Sequence, residues 1–166
     1  MEIGNRISNI KIADNLKHWD ISSEDYKYLD NSEDISNLVL QNTAWNRFYI
    51  FSGKMLSDLE IKEIGFVMIH FDLINMNARI QMVFIKPEFR GFGISKEIIG
   101  KAIEIIRNNG FFKVKICAEE DNIKSLSSIR KNFTNEYILK DEILRKDKTG
   151  ERKDFRVNRH EFELFL

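Results

Sequence analysis

Apolar residues along this chain change period at clear points, and each change predicts an element. From Ile94 they fall at Ile98, Ile99, Ala102, Ile105 and Ile106, a 3.6-residue stripe, while Lys96, Glu97, Lys101, Glu104 and Arg107 take the other face. That pattern predicts an amphipathic helix starting at Gly93. Asn108-Asn109-Gly110 would close it, because glycine suits the left-handed conformation of a helix C-cap. Phe112, Val114, Ile116 and Ala118 then alternate with Lys113, Lys115 and Cys117, the period of a strand. Upstream, Ile61–Phe71 and Ala78–Lys86 are longer apolar runs joined by Asp72-Leu-Ile-Asn-Met-Asn77, which predicts an antiparallel hairpin.

Weaker signals complete the order. Short strands are expected over Ser8–Ala13 and Arg47–Phe51, and helices over Ser22–Leu29 and Ser32–Gln41, each opening on a serine with an acid in its first turn. Asp121–Lys131 predicts a short helix capped by Asp121 or Asn122. Glu136–Leu144 and Arg156–Leu166 frame Lys148-Thr-Gly-Glu151 and predict a long closing hairpin. The resulting string, β-α-α-β-β-β-α-β-α-β-β, describes a mixed α/β (α+β) protein. Pro87 is the sole proline, and no Gly/Ser-rich linker or repeat divides the chain, so residues 1–166 are expected to form one domain.

Composition narrows the function classes. A hydrophobic fraction of 43%, with 13 Phe, supports a packed core. The 26 basic residues balance the 26 acidic ones, so no global field draws in nucleic acid or an acidic membrane. The run Arg145–Lys153 mixes bases with acids and reads as a solvated hairpin tip. No apolar run approaches the ~20 residues that span a bilayer, and Met1–Asp20 is mixed and charged rather than a secretory signal. Cys117 is the only cysteine, which fits a reducing, cytoplasmic setting. His18, His70 and His160 are scattered without metal-ligand spacing, so no metal is expected.

The candidate chemistry sits where the second hairpin strand turns into the helix, at Arg90-Gly91-Phe92-Gly93-Ile94-Ser95. Two glycines at a strand–helix junction can bare a run of backbone N–H groups at the positive end of a helix dipole, where a phosphate can dock. The same turn could equally be a tight connection. Two glycines one residue apart lack the third small residue of the dinucleotide fingerprint, and no Lys-Ser/Thr pair follows as in a phosphate loop.

The element order around this turn resembles the GNAT superfamily of acetyl-CoA-dependent N-acetyltransferases. That family's turn reads Gln/Arg-x-x-Gly-x-Gly/Ala, here Arg90 to Ser95, with Ser95 in place of the small last residue. A second family stretch, Asn-x-x-Ala/Ser leading to Lys and Gly-Phe, resembles Asn122-Ile-Lys-Ser125 through Lys131-Asn-Phe-Thr134, with Phe133-Thr134 departing from Gly-Phe. The likeness runs from Ile61 to the C-terminus. It implies a mostly antiparallel sheet of about seven strands flanked by about four helices, with acetyl-CoA as co-substrate.

By the same resemblance, backbone N–H groups of Phe92, Gly93, Ile94 and Ser95 would hold the cofactor's pyrophosphate beside Gly91, with Arg90 shaping the loop or adding charge. Phe84 and Ile85 would pair with the pantetheine arm, and Asn122 would meet that arm or the acetyl group. Many relatives carry an acidic Tyr seven residues after that Asn; Ile129 stands there, and Tyr137 is a substitute to consider. Glu119 and Glu120, just past the strand that flanks the cleft, are candidate bases, followed by Gln81 as a water positioner and His70. The acceptor would be a small-molecule or peptide amine. Two alternatives stay open: a CoA-binding module without turnover, and an interaction protein keeping only the fold. The long edge strands of the closing hairpin point to a homodimer.

Overall fold

The computed structural model describes residues 6–13, 19, 21, 45–54, 60–146 and 152–166. The expected helices at Ser22–Leu29 and Ser32–Gln41 lie outside these residues. Seven strands form one sheet: β1 (Ile7–Ile12), β2 (Asn46–Gly53), β3 (Lys62–Asp72), β4 (Asn77–Ile85), β5 (Lys113–Glu119), β6 (Asn135–Lys146) and β7 (Arg152–Phe165). Their spatial order is β1-β2-β3-β4-β5-β7-β6, antiparallel throughout except between β4 and β5. Two α-helices are described, α1 (Ile94–Asn108) and α2 (Ile123–Ile129), the last two of the four expected.

The parallel β4–β5 pair explains α1. Parallel neighbours cannot be joined by a hairpin, so the chain must cross back over the sheet, and an amphipathic helix does so while covering it. Ile94, Ile98, Ile99, Ala102, Ile103 and Ile106 of α1 are buried. Ile103 replaces the expected Ile105, which sits half-buried on the flank of the stripe. Gly110, at φ 85°, stops the helix, and its N–H donates to Arg107 O at 2.9 Å. Phe111 then turns inward against Phe71 with ring centroids 5.0 Å apart. Phe112 is left exposed outside β5, whose inward set is Val114, Ile116 and Ala118.

Each sheet face carries its own core. On one face α1 and α2 cover Phe51, Ile69, Ile80, Val114 and Phe162. On the other, Trp19 and Ile21 pack on Phe48, Ile50, Phe66, Met68, Met82 and Phe84. Full burial of such a side chain contributes about 1.5–3 kcal/mol.

The residues of β4 serve both cores because the strand carries a bulge. Met68 pairs with Met82 and Ile69 with Ile80, which leaves Gln81 as an extra residue. Ala78 and Ile80 therefore face the helices, whereas Met82 and Phe84, in step with them by simple alternation, face the opposite side.

Candidate active site

The sheet opens beyond this bulge. β4 and β5 pair only from Asn77–Lys113 to Ile80–Ile116. Past that point Gln81–Ile85 and Cys117–Glu119 run on without pairing to each other, forming the walls of a wedge. Lys86 N–H donates to Ile64 O at 2.9 Å, and the Phe84 carbonyl lies so close to Gly65 that a Cβ there would overlap it. Backbone groups alternate sides along an antiparallel strand, so Phe84 faces β3 while Val83 and Ile85 turn their N–H and C=O groups to the open edge. Of the two strand-end residues singled out in the sequence, Ile85 turns its backbone to the open edge and Phe84 turns its backbone to β3. The Phe84 ring instead stacks on Phe66 at 5.2 Å between centroids.

The mouth of the wedge is the glycine turn. After a single 3-10 turn at Pro87–Phe89, Gly91 and Gly93 take φ values of 83° and 76°. A Cβ on either would meet nothing within 4 Å, so conformation rather than space demands glycine. Gly93 is the N-cap of α1 and supplies no side-chain hydrogen bond, so the first-turn N–H groups lack that acceptor. Ile94 anchors the turn in the core and the Phe92 ring lies outside. Ser95 Oγ shares a 2.8 Å hydrogen bond with Ser128 Oγ of α2. Arg90 Nε donates to Ile85 O at 2.8 Å, and its guanidinium lies 5.4 Å from the Phe84 ring centre.

The far wall is the end of β5 and the start of α2. Asn122 Oδ1 accepts the Ser125 N–H at 3.2 Å, which caps α2 and leaves the side-chain NH₂ available. Glu119 closes β5, half-buried, on the Cys117 side of the strand, away from both helices. Glu120 turns outward. Its carboxylate accepts the Asn158 backbone N–H at 3.1 Å and side-chain NH₂ at 2.9 Å, and these bonds hold its pKa below the ordinary value. A general base needs the opposite shift.

The remaining candidates separate. Gln81 is exposed at the bulge, on the β4 wall. Ile129 is 1% exposed in the core. Tyr137 sits on β6, opposite Glu161, which is itself opposite Cys117. That places it two strand spacings, about 10 Å, from the β5 wall. His70 is at the closed end, its Nδ1 sharing a 2.8 Å hydrogen bond with Asn46 Oδ1.

Sequence reasoning missed the polar cluster just below the wedge. Lys115 Nζ lies 2.9 Å from Glu161 and 2.7 Å from Glu163, Arg79 reaches Glu161 at 3.3 Å, and the Cys117 thiol donates to it at 3.5 Å. Burial opposes ionisation of Glu161, but Lys115 and Arg79 outweigh it and leave its pKa lowered. Burial raises the Cys117 pKa, which disfavours a nucleophilic thiolate. The available signal was Glu161 and Glu163 alternating in step with Lys113 and Lys115. Among the described residues no group of three His, Cys, Asp or Glu could hold a metal ion.

Known proteins share this fold. The family model described as "Acetyltransferase (GNAT) family" matches residues 14–133. No curated protein matches in sequence. A Bacillus subtilis acetyltransferase solved with CoA is 18% identical, with a TM-score of 0.60 over 95% of this chain and 97% of that one. The spermidine/spermine N-acetyltransferase SpeG of Vibrio cholerae, in E33Q and E41Q mutant forms, is 17% identical with a TM-score of 0.59 over 75% of this chain. This chain spans 66% of SpeG's length. A Vibrio cholerae spermidine N-acetyltransferase in complex with CoA and spermine gives 14% identity and a TM-score of 0.54, over 74% of this chain and 66% of that one. With 120 consecutive residues, 14–133, under the family model, this chain belongs to the GNAT acetyltransferase family.

Proposed function

We propose that this protein moves the acetyl group of acetyl-CoA to a primary amine by direct attack in a ternary complex. One observation carries the reading: the unpaired wedge between β4 and β5 opens beside a glycine turn that bares a helix N-terminus. The first-turn N–H groups from Phe92 to Ser95 suit a diphosphate. Val83 and the Ile85 N–H offer the pantetheine amides a strand edge, the Ile85 carbonyl being held by Arg90, and the Asn122 NH₂ would meet the same arm from the other wall.

In the reaction the amine nitrogen bonds to the thioester carbonyl carbon, and a β4 N–H steadies the developing oxyanion. Collapse breaks the C–S bond and expels the CoA thiolate. With an ordinary thiol pKa of about 8.5, that thiolate leaves near neutral pH without a dedicated acid. A Tyr at position 129 is therefore not required. Glu119, on the acceptor side of β5, would take the amine proton directly or through one water. Glu120 is the weaker base on its lowered pKa.

The acceptor class is a small-molecule or peptide amine, with polyamines included because SpeG is a spermidine/spermine acetyltransferase. A homodimer fits the reading as well. Outer strand β6 exposes Tyr137 and Ile138, and a second copy would cover them. A second reading, a CoA-binding module without turnover, draws on Ile129 at the Tyr position and on Phe133-Thr134 in place of Gly-Phe.

Thermal-shift titration with acetyl-CoA, CoA and NADH tests the cofactor, followed by thiol release across spermidine, spermine, an aminoglycoside and a peptide N-terminus. Ligand at 100 times Kd should add about 2.7 kcal/mol of stability. No shift at millimolar acetyl-CoA would overturn the proposal, and CoA binding without turnover on any amine would select the second reading.

A further inference from the structure

The start of β1 meets the glycine turn across 86 residues of sequence. Arg6 Nη1 donates to the Phe92 carbonyl at 2.6 Å, and Ile7 N–H donates to Glu97 Oε1 at 2.8 Å in the first turn of α1. Resting on the acetyl-CoA reading above, we infer that Arg6 is a positioning residue that holds the turn in its phosphate-binding form.

A trans peptide is planar, so the Phe92 carbonyl and the Gly93 N–H point in opposite directions. Fixing one aims the other. The peptide lies between two positive-φ glycines, Gly91 and Gly93, whose backbones enter conformations that other residues rarely adopt. Without an anchor the peptide can flip and turn a carbonyl oxygen towards a phosphate. Arg6 bonds the carbonyl from behind and leaves the N–H facing outward.

The second bond removes a competitor. Glu97 is the acidic residue of the first turn, and a carboxylate there favours the same N–H groups and dipole that a phosphate would use. Ile7 N–H engages that carboxylate instead.

β1 is itself tightly seated. The Arg6 carbonyl accepts Lys54 N–H at 3.3 Å and lies against Gly53, where a Cβ would overlap it. Among the described residues no carboxylate pairs with Arg6, and its buried Nε has no acceptor. The guanidinium therefore also leaves positive charge beside the turn.

Calorimetric titration of CoA, dephospho-CoA and S-acetylpantetheine into wild type, Arg6→Met and Arg6→Lys tests the role. Losing a hydrogen bond that serves a charged ligand should raise the Arg6→Met Kd for CoA and dephospho-CoA about ten-fold. S-acetylpantetheine, which has no phosphate, should bind both proteins alike, and Arg6→Lys should recover most of the loss. Wild-type-like CoA binding by Arg6→Met overturns the inference, as does an equal loss for S-acetylpantetheine, which would mark general damage. A loss for CoA but not dephospho-CoA would assign Arg6 to the 3′-phosphate and overturn the peptide-orienting role. If Arg6→Met does not fold, Arg6→Gln takes its place under the same criteria. Failure of wild type to bind CoA would remove the acetyl-CoA reading and this inference together, whereas the variant outcomes bear on Arg6 alone.

Discussion

Gly65 of β3 lies directly against the carbonyl of Phe84 on β4, with Ile98 of α1 closing the third side. A Cβ at position 65 would overlap the carbonyl and come 3.0 Å from Ile98 Cδ1. This contact sets how closely β3 holds the strand that carries the wedge's open edge. Gly65→Ala is expected to destabilise the protein by about 1–3 kcal/mol, the range for overpacking a filled core. It should also raise KM for acetyl-CoA, because β4 must shift. Denaturant unfolding and steady-state kinetics on the one variant check both effects; wild-type stability would show that β3 yields without cost.

Gly93 has room for a side chain but the wrong backbone for one. At φ 76° a β-branched residue is strained, whereas Asn tolerates the left-handed region. Gly93→Val should therefore weaken CoA binding strongly, and Gly93→Asn should weaken it less. Equal affinities for both variants and wild type would show that the turn does not hold the phosphates.

Glu119→Gln removes the proposed base while keeping size and polarity. General-base catalysis typically contributes 10²- to 10⁴-fold, so kcat should fall by roughly that factor with CoA affinity unchanged. Glu120→Gln should leave kcat near wild type. The reverse pattern in stopped-time assays would transfer the role to Glu120.

Glu136 predicts an acid-sensitive component of stability. Arg130 donates to it through Nε at 2.9 Å and Nη2 at 2.6 Å, and His160 Nδ1 lies 2.6 Å from the same carboxylate. The Arg130 hydrogen bonds chiefly lower its pKa from 4.5 to about 2. A carboxyl that is more acidic when folded binds fewer protons than in the unfolded chain, so its contribution is present above pH 4.5 and fades towards about 2. The melting-temperature gap between wild type and Glu136→Gln should be largest near neutrality and shrink as pH falls through that window. A gap that stays constant down to pH ~3 would mean the loss is one of packing, not charge.

Much of the fold was legible because its signals are short-range. The stripe from Ile94 to Ile106, the glycines at 91, 93 and 110, and the Asn122 cap each report a local backbone need, and each element formed where expected. A change of phase is not visible in a local pattern. Ala78, Ile80, Met82 and Phe84 are evenly spaced, and nothing in that spacing reveals the extra residue at Gln81. The same bulge helps decide which backbone groups turn to the open edge, a difference between Phe84 and Ile85 that their adjacency in sequence does not show. Tyr137 was a substitute to consider for the Tyr absent at position 129; β7 inserts between β5 and β6 and separates it from the wedge.

The sequence by itself determined the strands and helices from Ile61 onward, their hairpins and the glycine turn, because period and φ preference act over a few residues. Tertiary structure alone decided the strand order, the point where β4 and β5 part, and the meeting of Arg6 with Phe92 and of Glu161 with Arg79 and Lys115. Those depend on register and on contacts between distant segments, and a linear pattern does not encode which free edge or which charge a strand will face.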